Sequence, residues 1–349
     1  MDNMKTLLNG ALGLQVPAEF AVENYDYEAA LRDELKKVAG TRSLFRRNMN
    51  DIFDLLAETL DEILPARIQE AIGVFAEIVQ VPNGTRCEFV IKRGRQRGRQ
   101  FVTRSTAAGN YESFRLDRER FEIVPGAIGS AYSVDFERYL DGIEDIAEGY
   151  AIIMEGMIDR LYEMIQEALL TSWNHAGRPA ANKVAVNTFS ASAMRQLCNT
   201  VAAYGTPVIY CTREFASEMA NYLTANGTTK LSDQDMLDIR ERGYIGKFFG
   251  TPVVILPQSY LDDQNTKLTM NPCFAYVIPT GKEKVVKVVM EGEAWFEERK
   301  AQDFGMEIQG YKKMGVGIVN SPNYWGIYYN AGIAAGEWAG FNTSLNITI

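Results

Sequence analysis

Apolar positions along the chain follow two rhythms, one with helical spacing and one alternating, and they divide it into stretches of different character. Between residues 45 and 75, Ile52, Leu55, Leu56, Leu60, Ile63 and Leu64 recur three or four apart, which predicts a helix that Pro65 interrupts or kinks. The forty residues before it are mixed and weakly periodic, the texture of an arm draped over other structure. A β-rich stretch comes next. Ala76–Val81 leads through Pro82-Asn83-Gly84, a hairpin turn signal, into a strand over 86–92. Further strands are predicted at 101–106 and 113–124, the second alternating through Phe114, Leu116, Phe121 and Ile123 before Pro125-Gly126.

The longest periodic feature spans 135–173, where Ile143, Ile146, Tyr150, Ile153, Met157, Leu161, Ile165 and Leu169 form one apolar stripe. About 30 helical residues would reach roughly 45 Å, longer than an ordinary domain helix and suited to the axis of an elongated subunit. Gly142, Gly149 and Gly156 mark places where it bends or is closely approached. After a loop at 174–183 the texture becomes compact α/β. It predicts a helix at 190–204, a strand at Thr206–Cys211 and a helix at 212–223 capped by Thr212. Another helix, over 232–242, is entered through Ser232 with Asp235 in the capping-box place. A proline-bounded strand at 250–257 precedes strands at 274–278, 284–290, 294–299, 307–311, 316–319 and 325–329.

With 349 residues, 46% hydrophobic and 23% charged, the chain can bury a substantial core in two or three subdomains. A formal charge of −9 argues against broad, tight nucleic-acid binding. Cys87, Cys198, Cys211 and Cys273 are scattered without a CxxC pair and read as reduced structural thiols. The N-terminus lacks the basic start and apolar run of a signal peptide, and no apolar stretch approaches membrane-spanning length.

The sequence points to no catalytic, cofactor-binding or metal-binding residue. His175, the one histidine, lies in TSWNHAGRPA without a nucleophile motif around it, and it reads as a capping or surface residue. Phosphate-loop and dinucleotide glycine patterns are missing from the sequence. Glu297-Glu298 and Asp262-Asp263 read as solvated charge, and the Met- and Tyr-rich stripe of the long helix reads as core or subunit contact.

Against this acidic background residues 88–104, EFVIKRGRQRGRQFVTR, place Lys92, Arg93, Arg95, Arg97 and Arg99 almost side by side. Such a run suits phosphate contacts. Strand-formers on both flanks instead set the cations at the tip of a β-hairpin that reaches outward.

The order of parts, with GYIGKFFGTPVVILPQS at 243–259, GKEKVVKVVMEGE at 281–293 and MEIQGYKKMGVGIVN at 306–320, resembles a tailed-bacteriophage major capsid protein of the Hong Kong 97-type fold. The resemblance implies an α+β architecture: an N-terminal arm (1–45), a joining helical segment (46–75) and an extended β-hairpin loop (76–113). A peripheral domain with its spine helix (114–183), an axial domain (184–283), returning peripheral strands (284–319) and a C-terminal axial segment (320–349) complete it. It implies a non-enzymatic structural protein of the virion, assembled in the host cytoplasm from pentamers and hexamers into an icosahedral shell around double-stranded DNA. Scaffolding protein, portal and decoration proteins are the implied partners, with no cofactor and no membrane. The short arm points to a separate scaffolding protein or to a segment already removed. In this family the hairpin lies over a neighbouring subunit, so the arginine tip is expected to meet carboxylates there, with Glu144, Asp145, Glu148, Glu155 and Asp159 as candidates. Some members form lysine–asparagine cross-links; Lys92 is the one hairpin lysine, and no partner is matched by motif. Two other readings stand beside this one: an encapsulin-type shell enclosing protein cargo, and a cytosolic α/β enzyme.

Overall fold

The computed structural model describes residues 2–11, 26–73, 76–92, 118–134, 146–225, 241, 243–280, 284–300, 306–318, 323–345 and 347. The N-terminal residues described are helical. α1 (Asp2–Ala11) and α2 (Tyr27–Ala39) bury Met4, Leu7, Leu8, Leu31 and Leu35 against the main core. Asp26 caps α2 by accepting a hydrogen bond from Ala29 N (3.0 Å). Over these residues the stretch expected as an arm consists of two helices laid against the main core. α3 (Arg42–Ile72) begins at Thr41, whose Oγ1 accepts from Leu44 N (3.3 Å), and it contains Pro65 within its length. The sequence predicts an interruption or a kink there, and the structure shows no interruption. The helix continues because Leu60, Leu64 and Ile68 are fully buried on either side of the proline. Each contributes about 1.5–3 kcal/mol by burial, which outweighs one missing backbone hydrogen bond.

A four-stranded sheet lies under α3. Its order is β1 (Ala76–Val81), β10 (Val286–Lys300), β11 (Met306–Ile318) and β4 (Gly126–Val134), with β1 parallel to β10 and the other pairs antiparallel. β10 and β11 are each continuous, whereas the sequence predicts each as two strands. The register shifts between Glu291 and Trp295, a bulge at which Gly292 takes φ +69°. α4 (Ile146–Thr171), about 39 Å long, crosses the same face as α3. Gly149 allows it to approach closely, because a Cβ there would stand 2.5 Å from the Tyr132 ring of β4. The predicted first eleven residues of this helix, 135–145, lie outside the described residues.

The second layer is a six-stranded sheet in the order β5 (Lys183–Val186), β12 (Gly326–Asn330), β9 (Phe274–Thr280), β6 (Thr206–Cys211), β8 (Thr251–Ile255) and β7 (Lys247–Phe248). α5 (Ala191–Ala202) and α6 (Arg213–Ala225) pack on it around Met194, Leu197, Phe215, Met219 and Val277. Ser190 and Thr212 cap these helices, the second as the sequence predicts. The helix predicted at 232–242 falls outside the described residues except for Glu241. α7 (Trp338–Ser344) closes the chain's described part, with its Trp338 Nε1 donating to Leu268 O (2.8 Å).

Arg178 bolts the two layers together. It is 6% exposed, and its guanidinium sits 4.1 Å from the centroid of the Trp325 ring. Nε and Nη2 donate to Ser172 O (3.1 Å) and Ser172 Oγ (3.2 Å) at the end of α4, and Nη1 donates to Trp325 O (3.1 Å) beside β12. No carboxylate pairs with it among the described residues. The cation is balanced by carbonyls at a helix C-terminus, where positive charge is favoured, and burial lowers its pKa to about 10.

Candidate shell-forming surfaces

Pro82-Asn83-Gly84 forms a turn, closed by Thr85 N donating to Pro82 O (3.1 Å), with Gly84 at φ +76°. It does not join a hairpin. β1 on one side belongs to the four-stranded sheet, and β2 (Cys87–Lys92) on the other pairs with β3 (Arg118–Ile123). Glu291 Oε1 accepts from Gly84 N (2.8 Å), and this tether, helped by Lys313, keeps its carboxyl below the usual range. The turn thus lifts the chain off the edge of the sheet and onto its outer face, the side away from α3 and α4.

The β2–β3 ribbon lies on that outer face. Cys87 and Ile123 are buried against Val289, with Phe89, Val79 and Val81 around them. Gly317 of β11 makes room, since a Cβ there would stand 2.7 Å from Ile123. Lys287 pairs with Glu77 beneath the ribbon and lies 5.7 Å from the Phe89 ring centroid. Outward, the ribbon carries exposed ion pairs, Arg120–Glu88 (3.0 Å) and Arg86–Glu122 (3.7 Å). Such pairs are worth about 0–1 kcal/mol each and leave the ribbon's seat to its apolar contacts.

Lys92 ends β2, opposite Arg118 in register. Its side chain, Arg93, Arg95, Arg97 and Arg99 lie outside the described residues, as does the return strand predicted at 101–106. The strand that pairs with β2 is 118–123, so residues 93–117 together form the connection between them. Of the candidate acceptors on α4, Glu148 and Glu155 are exposed on one face, with exposed Ile152 between them and open space over Gly156. Neither glutamate pairs with a cation among the described residues. Asp159 instead accepts a hydrogen bond from Ser259 Oγ (2.8 Å) and ties α4 to the loop after β8. Glu144 and Asp145 fall outside the described residues.

Elsewhere among the described residues the surface shows no metal-binding cluster. His175 Nδ1 accepts from Gly177 N (3.1 Å), a local turn contact in keeping with its expected capping role. The four cysteines are buried. Among the described residues no group of His, Cys, Asp and Glu is placed to hold a metal ion, and no helix is long and apolar enough to cross a membrane.

A four-stranded sheet with a long helix on one face and a ribbon on the other, joined to a six-stranded α/β layer, is a Hong Kong 97-type capsid fold. A solved structure of Microbacterium phage Oxtober96 matches it with a TM-score of 0.51 at 11% identity, over 74% of this chain and 90% of that one. The capsid structure of the cyanophage P-SCSP1u (TM-score 0.48, 11% identity, 75% and 88% covered) is also similar. So is the holo-SrpI encapsulin complex from Synechococcus elongatus PCC 7942 (0.48, 11%, 74% and 85%). No curated protein sequence matches the chain. The family model described as "SPbeta prophage-derived putative capsid protein YonB" matches residues 4–322, and the chain belongs to that family. It is a structural major capsid protein, not an enzyme, and copies of it assemble into the shell of the virion.

Proposed function

We propose that the chain forms closed icosahedral heads from pentamers and hexamers, assembled in the host cytoplasm with scaffolding protein and a portal, and later bearing decoration proteins. In this reading residues 1–45 are the arm, 46–75 the joining helix, 76–113 the extended loop, 114–183 and 284–319 the peripheral domain, and 184–283 with 320–349 the axial domain. Double-stranded DNA is enclosed by a wall of net negative charge, so it is confined and not gripped.

Lys92, Arg93, Arg95, Arg97 and Arg99 act between subunits by meeting carboxylates of a neighbour. The observation that supports this is the outward flank of α4, where Glu148 and Glu155 stand two turns apart beside exposed Ile152, without a cation of their own among the described residues. Each pair contributes only about 0–1 kcal/mol, but the contact is repeated at every subunit, and that repetition selects geometry. The test replaces the four arginines by serine and measures shell yield against ionic strength, beside circular dichroism of the subunits. The variant should fold normally, assemble less and lose the salt response that partly exposed pairs give the wild type. Equal yields and equal salt responses would leave the arginines as solvated charge.

A further inference from the structure

Among the described residues the outer face of the four-stranded sheet is only half covered. Its first half, at Val289 and Gly317, lies beneath the β2–β3 ribbon of the same chain. Past the bulge the face continues with Trp295 of β10 directly opposite Tyr311 of β11, which is in turn opposite Gly129 of β4. Trp295 is 57% exposed and Tyr311 37%, while their neighbours Ala294 and Phe296 point inward and are buried. Ala127, Gly129, Ala131 and Ser133 of β4 are exposed alongside and give the aromatic pair a flat, small-residue border. Among the described residues β4 is also the last strand of its sheet, and its nine residues, GAIGSAYSV, carry no charge. Sheet edges that stay free are usually guarded by lysine, proline or inward charge, and this one has none within it.

We infer that this uncovered half is a contact surface for a second copy of the chain, which seats on Trp295 and Tyr311 and along the β4 edge. The inference rests on the shell reading, since a shell of identical copies supplies that occupant at every position. The first half of the face is filled by a ribbon of the same chain through apolar contact, so the face already accepts this chain's own strands. Tryptophan and tyrosine anchors inside a polar rim, here Glu293, Glu297 and Gln309, are also what protein interfaces select over bulk surface.

Trp295 provides its own readout, because Trp173 and Trp325 are buried and the remaining Trp338 is partly buried. Acrylamide quenching is measured on free subunits and on purified particles, for the wild type and for Trp295→Phe; the difference between the two assigns the Trp295 emission. That component should be readily quenched in subunits and several-fold less quenched in particles. Trp295→Ser should raise the subunit concentration needed for assembly about 30-fold, the effect of a tryptophan hot spot, with unchanged circular dichroism and melting of the free subunit. Trp295 quenched equally in particles and subunits overturns the inference while the shell reading stands. Protection that appears only when another virion protein is added also overturns it, by assigning the face to that protein. Failure to form particles with any phage assembly protein supplied removes the shell reading and this contact with it.

Discussion

Asp61 of α3 holds the bulge in β10, and its removal should unfold the subunit more easily than removal of its partner. Both carboxylate oxygens accept from Ala294 N (3.0 Å each), and Lys312 of β11 pairs with Asp61 while reaching Gly292 O (3.3 Å). The two partners are not equally buried: the Lys312 side chain is 4% exposed and that of Asp61 25%. Asp61→Ala leaves an ammonium without a counter-charge in a nearly dry site, together with an unsatisfied amide at Ala294. Loss of one partner of a buried pair costs about 3–5 kcal/mol. Lys312→Met leaves a carboxylate that keeps its backbone donor and has some access to water, so its cost should be nearer 1–2 kcal/mol. Asp61→Ala/Lys312→Met removes the stranded charge as well as the pair. It should therefore be more stable than Asp61→Ala alone, although it carries one more substitution.

Urea unfolding of unassembled subunits, followed by far-ultraviolet circular dichroism and by tryptophan fluorescence, measures all four proteins of this cycle. Coincident transitions for the two probes justify comparing free energies. An Asp61→Ala cost below about 1 kcal/mol would refute the reasoning. So would a double variant whose cost is the plain sum of the two singles, because independent sites add and a shared ion pair does not. The bulge also sets the position of the outer face beyond it. Asp61→Ala should consequently alter the quenching of Trp295 in the folded subunit, and Lys312→Met much less.

Arg178→Ala removes three hydrogen bonds and the contact with Trp325, and should cost about 2–4 kcal/mol of subunit stability in the same urea assay, with Arg178→Lys recovering only part. Stability should also fall at alkaline pH. Burial pushes the thiols of Cys198 and Cys273 up from the ordinary 9.0 to about 11. Their folded pKa lies above the unfolded one, so the stabilisation is complete below pH 9 and is lost as pH rises towards about 11, at about 2 kcal/mol per thiol. Melting temperature against pH checks this, and Cys273→Ala should flatten the alkaline fall.

Much of the second layer can be read from the sequence because its signals are local. Thr206–Cys211 is a strand of six residues with a glycine before it, and Ser190 and Thr212 are side chains that cap helices wherever they stand ahead of one. The four-stranded sheet is less legible, since tertiary contacts override the local signals. Pro65 reads as a break or a kink, and the buried side chains around it hold it within α3. Pro82-Asn83-Gly84 reads as a hairpin turn, yet β1 gains more from parallel pairing with a buried strand two hundred residues away. β4 escapes notice because GAIGSAYSV has neither strong alternation nor β-branched density, and its pairing with β11 supplies what its sequence lacks. Of the candidate site, the basic run and the five proposed carboxylates are visible in the sequence, which does not choose among those five. Asp159 cannot be distinguished from the others without the position of Ser259.

Trp295 shows why assembly surfaces are harder to read than cores, and where a trace of them remains. The outward row of β10 reads Lys287, Val289, Glu291, Glu293, Trp295 and Glu297, with the inward row at Val286, Val288, Met290, Ala294 and Phe296. Alternation alone tells which row faces the helices, because the inward row is uniformly apolar. It does not tell what covers the outward row. Val289 there is buried by the chain's own ribbon, and Trp295 is covered by nothing among the described residues. An aromatic set among glutamates on an outward row breaks a pattern that solvent alone would impose, since solvent would favour charge at every position. With Val289 accounted for by the ribbon, Trp295 is the sequence's trace of the proposed contact, and only the strand register, with Tyr311 and Gly129 beside it, places it in a wider surface.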